Sequence, residues 1–158
     1  MMSKENTYFE NLKKIGHDWE VERASRQARK QPIIDTYGWD SPELKAWYEE
    51  DAAAKFPFES GTTKAYRAWA QSLARKEDEL EMDDFLWERE VGDFVGALKK
   101  AGITSFVYTN QSTAVMENLH QLTAAGCTMQ GLCTIERHEF RWGSEEPTKV
   151  LGIRFSLN

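Results

Sequence analysis

A chain of 158 residues, 41% apolar and 29% charged, suits one hydrophobic core, or one core with a helical appendage. A net charge of −6 argues against a general nucleic-acid binder, and no run of about 18 apolar residues is present to span a bilayer. The polar opening MMSKENTYFENLKK lacks the apolar stretch of a secretory signal, so a cytoplasmic protein is expected.

Along the chain, Thr7 and Glu10 have capping-box spacing. Tyr8, Leu12, Ile15 and Trp19 then recur at helical intervals, and Pro32 is expected to stop this first helix. Ser41 followed by Pro42 marks a second start, with Leu44, Trp47 and Tyr48 on one face. FPFESG breaks that helix, and Thr62 or Thr63 is expected to cap a third containing Tyr66, Trp69 and Leu73. A fourth helix is expected from Asp83 and Asp84 to Lys99 and Lys100, charges that suit its dipole, with Gly102 as its stop. ITSFVYT reads as a buried strand.

NQSTAVMENLHQLTAAGC then repeats the pattern 24 positions on, with Val115 for Val91, Leu119 for Val95 and Gly126 for Gly102. It is expected to be a scaffold helix capped by Asn110 or Ser112, not a reaction centre. CTMQGLCTIERHEFRW and VLGIRFSL are expected to form a hairpin, with a bulge near residues 137–139. The fold class is therefore α+β: a helical segment over residues 1–80, then α-β-α-β-β over 81–158. That second part would carry a three-stranded mixed sheet, with two helices on one face.

Cys127 and Cys133 would lie about 20 Å apart on one strand, too far to bridge, and three scattered histidines make no metal spacing. No cofactor is expected, since glycine-rich phosphate loops and Gly-x-Ser-x-Gly elbows are missing from the sequence. His120, beside an apolar helix stripe, and Glu136 with His138, on one strand face, are the alternative sites for a small enzyme.

Charge is uneven: +2 over residues 1–30 and −8 over the rest. Glu77, Asp78, Glu79, Glu81, Asp83, Asp84, Glu88, Glu90 and Asp93 crowd into one stretch. They could be a solvated face, or a negative surface that docks on a basic groove. Tyr37 and Trp39 flank Gly38 in a loop, where exposed aromatics would act as interface anchors. Arg23, Arg26, Arg29 and Lys30 form a basic stripe that could bind phosphate in a nucleic-acid regulator, or pair with the acidic run within the chain or in a homodimer.

AGITSFVYTNQSTAVMENLHQLTAAGC, GLCTIERHEFRW and VLGIRFSL, within residues 90–158, resemble small uncharacterised proteins of Gram-positive conjugative elements and phages. The resemblance implies an accessory factor or an inhibitor of host defence, anti-CRISPR proteins included. The expectation is a non-enzymatic binding protein. Glu79, Glu81, Asp83, Asp84, Glu88, Glu90, Asp93, Tyr37 and Trp39 would meet a basic protein surface, such as that of a nucleic-acid-binding protein or nuclease, away from any membrane.

Overall fold

The computed structural model describes residues 5–138 and 146–158. Five helices, α1 (Thr7–Tyr37), α2 (Pro42–Ala53), α3 (Ser60–Ala74), α4 (Glu88–Lys100) and α5 (Val115–Ala124), accompany four strands. The strands are β1 (Glu81–Met82), β2 (Ser105–Tyr108), β3 (Cys127–Arg137) and β4 (Thr148–Leu157). The chain forms two compact units, one of residues 1–10 with 58–158 and one of residues 11–57. The division does not follow residue 80: α3 belongs with the sheet, because Ala65, Ala68 and Trp69 are buried in that unit's core.

In the larger unit the sheet is α+β as expected, but has four strands in the order β1-β2-β4-β3. The added strand, β1, pairs parallel to β2. β4 lies between β2 and β3 and is antiparallel to both. Thus β3 and β4 form the expected hairpin, while β2 and β3 are not neighbours. The reason is hydrogen-bonding economy: an eleven-residue β3 can satisfy a ten-residue β4 along its whole length, which the four-residue β2 cannot.

Residues paired across strands share a face. Phe106, Phe155, Tyr108 and Ile153 therefore lie on one side, under α4 and α5. Phe94 of α4 meets Phe106 edge-on at 5.5 Å, and Phe106 stacks on Phe155 at 5.5 Å. The buried Asn118 of α5 accepts hydrogen bonds from the Leu86 N–H and the Tyr108 hydroxyl, and donates to the Leu86 carbonyl. This one amide ties α5 to β2 and to the turn before α4. Gly102 and Gly126 both hold positive φ (75° and 97°), so the two helix–glycine–strand units do end alike.

Several boundaries differ from expectation for local reasons. α1 is capped by Asn6, whose Oδ1 accepts the Phe9 N–H, and not by Thr7. It passes through Pro32 and stops at Gly38, at φ 87°. Both Pro32 and Ala28 are exposed, so water can take the carbonyl that the missing N–H leaves. α3 begins at Ser60, before Thr62. α4 begins at Glu88, because Asp83 and Asp84 belong to the turn that follows β1. Ser112 and Asn110 shape the turn before α5, accepting from the N–H groups of Ala114 and Ser112. The bulge in β3 falls at Met129–Gly131, where Gly131 has φ 121°; its expected place, 137–139, lies partly outside the described residues.

In the smaller unit α1 and α2 pack around Ile34, Leu44 and Trp47. The Trp47 indole N–H donates to the Arg26 carbonyl at 2.9 Å.

Candidate partner-binding surface

Part of the acidic run points inward. Glu77, Glu81 and Glu90 are buried. They were expected on a docking surface or beside it, and burial removes Glu81 and Glu90 from that role. Glu81 contacts Arg137 and Thr109, with the Arg137 Nε at 2.6 Å from Oε1. Burial alone would raise the Glu81 carboxyl, but its contacts with Arg137, Glu77 and Thr109 hold it down to about 2. Burial, reinforced by the neighbouring Glu81 charge, pushes Glu77 up to about 9. Neither Glu77 oxygen has a partner at hydrogen-bond length, and the Arg137 Nε stands at 3.8 Å. Burial and the adjacent carboxylate thus favour the neutral form of Glu77, and the Arg137 contact favours the ionised form of Glu81.

Glu90 does structural work at the start of α4. It accepts the Trp87 N–H at 2.9 Å and the Lys64 ammonium at 2.8 Å. Burial disfavours its charge, yet Lys64 and the Trp87 amide lower its pKa overall. Asp83 pairs with Arg75 at 2.9 Å, Glu79 with Arg154 at 3.0 Å and Asp84 with Lys64 at 3.8 Å. Asp78, Glu88 and Asp93 stay exposed. The run is thus mainly an internal ion-pair set with three outward acids.

The basic stripe is engaged within its own unit. Arg26 is buried and bonds Glu22 and Asp51, Arg29 meets Glu50 at 2.7 Å, and Arg23 meets Glu20 at 3.5 Å. Lys30 sits over the rings of Trp47 and Tyr48. Glu20 and Glu22 lie one helical turn from their partners, and Glu50 and Asp51 face theirs from α2. The two catalytic alternatives occupy different places. His120 is exposed on α5, whereas Glu136 and His138 line another cleft of about 410 Å³, with Lys149 across the strand from Glu136.

The loop aromatics are different. Gly38 takes the left-handed turn that ends α1, and Ser41 caps α2 by accepting the Leu44 N–H at 3.1 Å. The Ser41 hydroxyl also donates to the Gly38 carbonyl at 3.0 Å, which closes the corner. Trp39 projects from this corner with 70% of its surface exposed. With Pro42, Leu44 and Tyr48 it lines a concavity of about 710 Å³, edged by Asp40, Glu49 and Lys45. Tyr37 and Tyr48 are exposed as well. These hydrogen bonds fix the backbone of the corner that presents Trp39, so binding there has chiefly the side chain to order.

Five helices and a mixed four-stranded sheet define a small α+β protein. Residues 64–157 match the family described as "Domain of unknown function (DUF7698)", and the chain belongs to that family. The matched span covers the whole sheet and most of α3; the Trp39 corner lies outside it. Neither a curated protein nor a solved structure matches the chain. No helix among the described residues is long and apolar enough to cross a membrane.

Proposed function

We propose that the chain is a non-enzymatic binding protein whose principal contact is the Trp39 corner, and that its partner is a protein surface of aliphatic and basic residues. The observation that carries this is a large indole left in water on a rigid turn, where burial would release about 2 kcal/mol. Asp40 and Glu49 at the groove edge favour a basic neighbour over an acidic one. Of the acidic run, Asp78, Glu88 and Asp93 remain available to steer such a partner. The resemblance to mobile-element proteins makes inhibition of a host defence nuclease, as by an anti-CRISPR protein, the particular instance we favour. The free thiols Cys127 and Cys133 suit action in the cytoplasm.

Affinity capture from a Gram-positive lysate tests this with three baits: the wild-type chain, Trp39→Ser, and a Glu88→Lys/Asp93→Lys double variant. A basic protein held by the wild type and the double variant, but lost with Trp39→Ser, is the expected result. Retention that ignores Trp39, or that vanishes only with the acidic double variant, would refute the assignment to this corner.

A further inference from the structure

β3 is an edge strand: it bonds β4 on one side, and no described strand pairs with it on the other. Natural edges of this length are usually blunted by lysine, proline, inward charges or a bulge, and in β3 only the bulge at Met129–Gly131 interrupts residues 127–135. Here the nine residues Cys127–Ile135 carry no charge, in a chain where 29% of residues do. Thr128, Met129, Gln130, Leu132 and Thr134 are exposed along it, and Leu132 keeps 75% of its surface in water. Leu151 of β4, on the same face, is exposed too.

We propose that this edge is a homodimer interface, in which β3 of two copies pairs antiparallel across a two-fold axis to make one continuous eight-stranded sheet. Charge decides the occupant. With the axis anywhere from Gln130 to Thr134, Glu136 and Arg137 of each copy fall opposite uncharged residues of the other, so no like charges oppose. A basic or acidic partner would find no complement on this neutral strand, whereas a second copy supplies an equally neutral one. The bulge at Met129–Gly131 bends the strand, which places the axis C-terminal to it, at Leu132–Thr134. Leu132 of the two copies then meet near the axis, with Leu151 of each beside them. Assembly stops at two, because the opposite sheet edge, β1, offers only two residues.

Sedimentation velocity on the full chain at about 100 μM tests this, with Leu132→Lys, Thr134→Lys and Trp39→Ser as variants and circular dichroism as the folding control. The expected wild-type species has twice the 18.2 kDa chain mass. Either lysine, doubled at the axis, should weaken the dimer at least about tenfold, while Trp39→Ser should leave it unchanged. Both lysine sites are exposed; should one variant misfold, the other still decides. A monomeric wild type, a dimer indifferent to the folded lysine variant, a dimer dissolved by Trp39→Ser, or an open series of higher oligomers would each overturn the proposal. A monomeric wild type, or a dimer indifferent to the folded lysine variant, leaves partner capture at Trp39 untouched, whereas a dimer dissolved by Trp39→Ser would count against both proposals.

Discussion

Glu77 and Glu81 show how one turn of charge-rich sequence makes opposite demands on pH. Glu81 is held ionised down to about 2, so its contribution is present above the carboxyl's ordinary value, near 4.5, and is lost as pH falls toward 2. Glu77 stays neutral in the folded protein up to about 9, whereas in the unfolded chain it ionises near 4.5. Stability therefore falls as pH rises between those values, by about 1.4 kcal/mol per pH unit while only the unfolded state has lost the proton. Chemical denaturation at pH 5 to 9 should show this decline in the wild type and a flatter line in Glu77→Gln. Equal slopes in both would mean that Glu77 titrates normally. Glu81→Gln should instead destabilise the fold by about 3 kcal/mol at pH 7, because it leaves the half-buried Arg137 without its nearest carboxylate. The same urea titration measures it, and a loss under about 1 kcal/mol would count against the network.

At the scale of elements, α3 and α4 are held by close backbone approach. A β-carbon built on Gly61 would collide with the Glu90 carbonyl and come within 2.9 Å of the Phe94 nitrogen. Both obstacles are main-chain atoms of α4, which cannot swing aside as a side chain can. Gly61→Ala should cost about 3 kcal/mol in equilibrium unfolding, whereas Gly92→Ala, with nothing near its added carbon, should cost nothing or slightly stabilise α4. If the two substitutions behave alike, the α3–α4 approach is looser than described. The helix–glycine–strand punctuation around Gly102 and Gly126 was legible because a left-handed backbone is a local demand that glycine meets at least cost. β1 was not legible. Its two residues lie in a run of acids that looks like a charged turn, although the alternation of Glu79, Leu80, Glu81 and Met82 carries the period of a strand.

Over the whole molecule, a net charge of −6 invites a docking surface made of acids, yet most of the candidate acids are already neutralised within the fold. Raising salt screens exposed charges but leaves a desolvated indole largely untouched. Capture through Trp39 should therefore weaken only a few-fold between about 50 and 500 mM salt, read by calorimetry with the captured partner. Loss of binding by orders of magnitude would shift the principal contact to Asp78, Glu88 and Asp93. Trp39→Ser itself should leave thermal stability within about 0.5 kcal/mol, since the side chain touches solvent more than protein.

The order of the five helices and of β2, β3 and β4, the Ser41–Pro42 start, the glycine stops and the availability of Trp39 beside Gly38 were determined by the chain itself. Each depends on backbone preferences or on periodicity over a few neighbouring residues. Which acids face inward, which arginine each one meets, and that β4 inserts between β2 and β3 were decided only in three dimensions. Those outcomes join residues as far apart as Glu79 and Arg154 or Glu81 and Arg137, and the burial that makes such pairs necessary is a property of the packed sheet.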